Sequence, residues 1–428
     1  MRSIKVPIRI LCALLLTFSG ICSQGQTHYP SEETQQKMLT EQCAFLANMK
    51  PGLQHTQMLA VRAAMKGDDA ALVQIRQSRN QAPTLPDGIT ATFPTSDICL
   101  FTPTKPATGK RKLLLYLHGG GWCFGSINSC ARFCASLALE ADCCVAALNY
   151  RLAPSHPFPA PLTDCQQAFA YLKRHAEELG CDSTQVSIGG DSAGGNLALA
   201  TALSVPGVCK VIPIYPVTKL FTEPSASWLT YSKGYGNDAE LLEAFNEAYA
   251  TTETHNPLVS VGLASDSALQ ALPPVLIISA GHDILFDQTA ELAQRLQRLN
   301  HPLRYHVYPT ATHLFITVPG QPTAFHEAVK ATASFLTTPS QTLVPNRGYI
   351  LSPCLEILFH SKLELVDKNL LKSMKIVLFI EDEHRFLIVD GTHRAKTQGT
   401  VPISNQNGIA CDASCALIAI GECLNIRK

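Results

Sequence analysis

The chain has 428 residues, 46% of them hydrophobic, enough to bury at least one large core. Its formal net charge is +0 and only 16% of residues are charged, which excludes the broad positive field that gathers nucleic acid or an acidic membrane surface. A neutral or small substrate fits this balance better.

Arg2, Lys5 and Arg9 precede an apolar run at residues 10–18 that is too short to span a bilayer. Residues 1–25 are therefore expected to be an export signal, cleaved before Gln26 after the small residues Ser23 and Gly25, leaving the protein periplasmic or secreted. Lipid anchoring through Cys22 is the weaker reading, because Ile21 stands where such sites want a small side chain. No later stretch approaches the length of a membrane span.

Residues 32–77 are rich in Glu, Gln, Ala, Leu and Met, which predicts helices, and residues 78–106 are broken by prolines. From Lys110 the pattern changes. Apolar runs at residues 113–117, 145–148, 186–188, 211–214, 275–279 and 305–308 read as buried strands, and residues 165–179, 291–299 and 324–335 read as helices. This alternation specifies an α/β protein with a mainly parallel sheet covered on both faces. In such sheets chemistry collects beyond the carboxyl ends of the strands. Residues 228–250, aromatic at first and helical after, interrupt the alternation as an insertion over the sheet.

Residues 339–428 follow the helix that should close the fold and carry no assignable motif. Within them, residues 375–380 and 385–389 flank the polar stretch Glu381-Asp382-Glu383-His384, a pattern that predicts a hairpin. There are 16 cysteines, two of which leave with the signal. Cys130 and Cys134 share a helical face and Cys143 and Cys144 adjoin in a strand, so most read as small buried hydrophobes. Cys411, Cys415 and Cys423 with His384 and His393 lack the paired spacing of a zinc site, and no metal is expected.

The chemistry lies in two glycine-rich turns. Gly190-Asp191-Ser192-Ala193-Gly194 follows a strand and opens a helical run. A serine on so tight a turn is exposed and strained, and it needs glycine neighbours for clearance. Upstream, His118-Gly119-Gly120-Gly121-Trp122 follows the strand ending at Leu117. Attack by serine on an ester creates an oxyanion that preorganised N–H groups must meet. Gly119, Gly120 and Ala193 are the expected donors, and Trp122 is expected at the substrate. A base and an orienting carboxylate complete the set, in the chain order serine, acid, histidine. Asp283 and His313 follow the strands at residues 275–279 and 305–308 and take these roles. Asp287 is read as the start of the next helix, and His282, His301 and His306 as structural or exposed.

The chain resembles the hormone-sensitive-lipase-like family of esterases over residues 113–335. The carriers are His118 to Trp122, the run Asn149-Tyr150-Arg151-Leu152-Ala153-Pro154 with His156-Pro157-Phe158-Pro159-Ala160, and Gly189 to Asn196. The resemblance implies an α/β-hydrolase fold, metal-independent ester hydrolysis without a cofactor, and an N-terminal helical cap roofing the acyl pocket. Residues 26–108 would supply the cap and lead-in, residues 109–338 the catalytic core, and residues 339–428 an extension. It also implies a structural rather than catalytic Arg151.

Departures stand at Ser155, where the family has an acid, at Ile284 and Phe286, where it has proline and arginine, and at Leu314, where it has glycine. The expected partner is a small, short-acyl ester, with no nucleic acid and no integral membrane span; nothing in these motifs sets the oligomeric state. A peptidase or amidase on the same fold is the alternative enzyme, and an inactive small-ligand receptor the alternative class.

Overall fold

The computed structural model describes residues 27–250 and 252–339, together with three strands between residues 375 and 400. The expected export signal and Cys22, and all the tail residues weighed for zinc, lie outside the described residues. The chain opens with β1 (Thr27–His28) and three helices, α1 (Glu32–Ala47), α2 (Leu53–Met65) and α3 (Ala70–Arg79). An edge hairpin follows, β2 (Ile89–Thr95) and β3 (Ile98–Pro103), and then β4 (Arg111–Leu117), α4 (Ile127–Ala141), β5 (Cys144–Leu148), α5 (Ala160–His175), β6 (Cys181–Asp191), α6 (Ala193–Ser204) and β7 (Val211–Ile214). The insertion forms α7 (Ala226–Tyr231) and α8 (Ala239–Ala250). After the short α9 (Asp266–Gln270) come β8 (Val275–His282), α10 (Phe286–Arg298), β9 (Leu303–Thr312) and α11 (Pro322–Thr337).

Nine strands form one sheet in the order β1-β9-β8-β7-β6-β4-β5-β3-β2. Every neighbouring pair from β1 to β5 is parallel, and the last two pairs, β5-β3 and the hairpin β3-β2, are antiparallel. Alternate side chains of a strand point to opposite faces, and β4 shows what that does here. Leu113, Leu115 and Leu117 enter one core with residues of α5, α6 and α10, while Leu114 and Tyr116 enter a second with residues of α4 and α11. A sheet buried on both faces needs apolar residues at every position, which is why its strands read as continuous apolar runs.

The sequence boundaries shift in two places. Residues 89–103 were expected as a lead-in outside the core, yet β2 and β3 are the sheet's edge, so the core begins near residue 89 rather than 109. The prolines that obscured these strands sit at Pro94 on the edge strand β2 and at Pro103, the last residue of β3, where proline costs fewer ladder bonds. Residues 27–28, expected in the cap, instead pair in parallel with Tyr305 and His306 of β9. The insertion also has a definite place, with α8 packing on α2.

Residues 347–428 form a separate unit. Its described part is an antiparallel sheet, β10 (Lys375–Ile380), β11 (Arg385–Asp390) and β12 (Ala395–Thr400). The expected hairpin is β10-β11, with Ile380 opposite Arg385. The third strand, Ala-Lys-Thr-Gln-Gly-Thr, has no apolar alternation to announce it.

Candidate active site

Parallel strands bring their carboxyl ends to one edge, and the four signalled segments meet there. The register pairs Leu117 with Gly190, Asp191 with Ile214 and His282 with Thr312. Ser192 bridges β6 and α6 at φ 54° and ψ −118°, a conformation disfavoured for any residue with a Cβ. The turn tolerates it because its flanks are bare. A Cβ on Gly190 or Gly194 would collide with the Leu117 carbonyl of the adjacent strand. Its backbone is also pinned, Ser192 N–H donating to the Ile214 carbonyl at 2.9 Å.

His313 Nε2 lies 2.9 Å from Ser192 Oγ, and His313 Nδ1 lies 2.6 Å from Asp283 Oδ2. The other carboxylate oxygen accepts the Leu285 N–H at 3.1 Å. Asp283 and His313 are 1% and 2% exposed and Ser192 8%, so only the serine end opens to solvent. The histidine loop is held by Gln321, whose Oε1 accepts the Thr312 N–H at 2.9 Å and whose Nε2 donates to the His313 carbonyl at 3.3 Å. Leu314 follows at φ 73°, left-handed backbone that glycine adopts without the strain a leucine carries there.

The competing histidines are engaged elsewhere. His282 Nδ1 meets Gln42 Nε2 at 2.8 Å, and His301 Nε2 lies 2.9 Å from the Leu272 carbonyl. His306 stacks on His28, and burial lowers its pKa to about 3. Asp287 stands in the first turn of α10 and accepts the Ser227 N–H at 2.7 Å.

The oxyanion loop departs from expectation at two residues. Gly119 N–H donates to Asp191 Oδ1 at 3.1 Å, and Tyr116 Oη donates to the same oxygen at 3.1 Å. Gly119 is thus a buttress of the loop rather than a free donor. No backbone hydrogen bond engages the N–H of Gly120 or Gly121 among the described residues. Both glycines line the cavity at φ 117° and 59°. Ala193 N–H heads α6, where a helix has no internal acceptor to offer. The N–H groups left to meet an oxyanion are therefore those of Gly120, Gly121 and Ala193, since that of Gly119 is engaged.

Trp122 is the second correction. It is fully buried, stacks on Tyr249 of α8 at 4.3 Å and 3°, and does not line the cavity. At φ 57° its backbone turns the ring away from the glycines and into the core, where it ties the loop to the insertion. The run beginning at Asn149 supports the same loop. Tyr150 Oη donates to the His118 carbonyl at 2.7 Å, and Arg151 pairs with Asp164 at 2.7 Å. From the other side, Arg76 donates to the carbonyls of Cys123 and Ala153 at 2.8 and 2.7 Å.

Ser192 and His313 open on a cavity of about 490 Å³. The N-terminal helices contribute Phe45 and Leu53 to its wall, and the insertion contributes Leu241 and Phe245. The roof therefore has two sources, and an added Cβ at Gly121 would run into the Phe245 ring. Two parts of the wall escaped the sequence reading. Asp191 was seen only as part of the elbow, and α8 only as an insertion, although its leucines and phenylalanine recur at helical spacing.

Burial pushes the Asp191 carboxyl up to about 6, against the opposing pull of Tyr116, His313 and the Gly119 N–H. A carboxyl whose folded pKa exceeds its unfolded one favours folding when protonated, so its stabilising effect fades as pH rises from about 4 to about 6. The unfolding free energy of the wild type, minus that of Asp191→Asn, is expected to fall by up to about 3 kcal/mol between pH 4 and pH 7. Urea titrations of both proteins across that range measure it, and parallel pH profiles would contradict the assignment.

Residues 114–317 match the family described as alpha/beta hydrolase fold. Esterase LipI of Mycobacterium tuberculosis is 30% identical over 53% of this chain and 72% of its own length. This chain belongs to the hormone-sensitive-lipase-like family of α/β-hydrolase esterases. Ethyl acetate hydrolase of Pseudomonas putida is 36% identical over 47% of this chain, an alignment that spans 65% of that relative. Among solved structures, the ester hydrolase EH1AB1 from the metagenome of Lake Arreo covers 71% of this chain and 99% of itself at 29% identity and a TM-score of 0.57. Against the family pattern, Ile284 is buried and Phe286 packs on the same core, so these departures alter the wall behind Asp283 and remove no group of the hydrogen-bonded line.

Among the described residues, eight of the ten cysteines are buried, consistent with the reading of small hydrophobes. No helix among the described residues is long and apolar enough to cross a membrane.

Proposed function

We propose that the protein is a serine carboxylesterase that cleaves small, short-acyl esters through an acyl-enzyme on Ser192. The observation that carries this reading is the buried line Asp283, His313, Ser192, hydrogen-bonded end to end and meeting the cavity at Ser192 and His313. His313 Nε2 takes the hydroxyl proton as Ser192 Oγ attacks the ester carbonyl, while Asp283 holds the proton on Nδ1 and balances the imidazolium. Gly120, Gly121 and Ala193 stabilise the oxyanion. The alcohol leaves with the proton from His313, and water repeats the attack to release the acid.

The acyl-chain limit follows from the roof. A cavity of about 490 Å³ walled by Phe45, Leu241, Phe245 and Leu314 sits at the low end of small-molecule sites. The expected profile of kcat/KM on 4-nitrophenyl esters has its maximum within about C2 to C8, with slow turnover of emulsified long-chain triglyceride. A maximum at long chains would reject the limit. Turnover of 4-nitroanilides as fast as the matching esters would mark an amidase instead, and no turnover of any ester would leave a receptor.

A further inference from the structure

We propose that Arg79 is a specificity residue that selects esters carrying a carboxylate near the scissile bond; this rests on the esterase reading above and names its substrate class.

Helix α3 presents two arginines one turn apart with opposite fates. Arg76 is spent on the backbone carbonyls of Cys123 and Ala153. Arg79, the last residue of the helix, makes no hydrogen bond or ion pair among the described residues, and its guanidinium lies 5.2 Å from the centre of the Phe124 ring. Both Arg79 and Phe124 line the cavity that holds Ser192 and His313. The residue is exposed on the wall of this open cavity, and desolvation by the surrounding protein lowers its pKa. An arginine in such a place stays charged.

The rest of the wall offers it no counter-charge. Lys50 also lines the cavity, and among the described residues the sole carboxylate on the wall is Asp191, whose Oδ1 already accepts from Tyr116 and Gly119. A cavity with two cations and one committed acid has a net preference for an anionic guest. A partly desolvated cation without a partner is costly, and a ligand anion removes that cost. The flat guanidinium fork matches a carboxylate through two parallel hydrogen bonds, which an ammonium cannot copy. A purely structural role is the competing account, since a cation suits a helix C-terminus and an aromatic face. That account predicts no discrimination between charged and neutral esters.

The test compares matched substrates on the full chain. Mono-4-nitrophenyl glutarate against 4-nitrophenyl pentanoate places the charge on the acyl side. 4-Acetoxybenzoate against 4-methylphenyl acetate places it on the alcohol side. In at least one pair, Arg79→Gln is expected to lower the charged-to-neutral ratio of kcat/KM by about ten- to hundred-fold, mainly through KM of the charged ester. Arg79→Lys should fall between the two proteins. Added salt should lower the wild-type ratio, a reading that needs no substitution and stands even if a variant does not fold. A ratio unchanged by Arg79→Gln in both pairs, or insensitive to salt in the wild type, overturns the assignment of Arg79 while leaving the esterase intact. Failure of the wild type to turn over the neutral esters overturns the esterase reading and this one with it.

Discussion

Replacement of Ser192 by alanine is expected to lower kcat on 4-nitrophenyl acetate by about 10⁶-fold, because triad members act as a unit and little catalysis survives the loss of the nucleophile. The fold should tolerate the change. The elbow is held by the Ser192 N–H to the Ile214 carbonyl and by the clearance at Gly190 and Gly194, none of which uses the hydroxyl. Alanine also meets the same backbone strain at φ 54° that serine already bears. The hydroxyl is hydrogen-bonded to His313 Nε2, which would then face the solvent of the cavity. Thermal unfolding should shift by no more than a few degrees. Activity within tenfold of the wild type in a folded Ser192→Ala protein would remove the central assignment.

Asp283→Asn is expected to reduce kcat by about 10⁴-fold with little change in structure, and for a reason written in the hydrogen bonds. One oxygen of Asp283 accepts the Leu285 N–H and the other faces His313 Nδ1. In the asparagine variant the Leu285 N–H selects the amide oxygen, which turns the amide NH₂ toward the histidine. Nδ1 must then accept, the ring proton moves to Nε2, and the atom facing Ser192 becomes a donor instead of a base. Pre-steady-state measurement of nitrophenol release should show the loss in the acylation step. A fall of less than about tenfold would mean that Asp283 does not orient the base.

The site was legible in the sequence where the chemistry is built from contiguous residues. Ser192 and its glycines announce themselves because a strand, a strained turn and a helix must follow one another within a dozen residues. Asp283 and His313 could be chosen by chain order and by their position just past apolar runs, since parallel strands send every such loop to one edge. The strands of the sheet centre were equally plain, because burial on both faces leaves no polar position to blur the run. The edge was not. β2 carries exposed residues at four successive positions and a proline, so neither alternation nor a continuous run marked it.

What only the tertiary structure decided concerns contacts between residues far apart in the chain. The motif at residues 118–122 specified an oxyanion loop but not which N–H groups remain free, because Gly119 is claimed by a carboxylate 72 positions away. It specified an aromatic at position 122 but not its direction, which Tyr249 decided by offering a buried face to stack on. Composition marked helices before residue 80 and after residue 228, yet not that α2 and α8 would pack together over one cavity. Local pattern determines backbone and turn chemistry; which polar group meets which, and which apolar faces close on one another, depends on three-dimensional packing that satisfies buried donors and fills space at once.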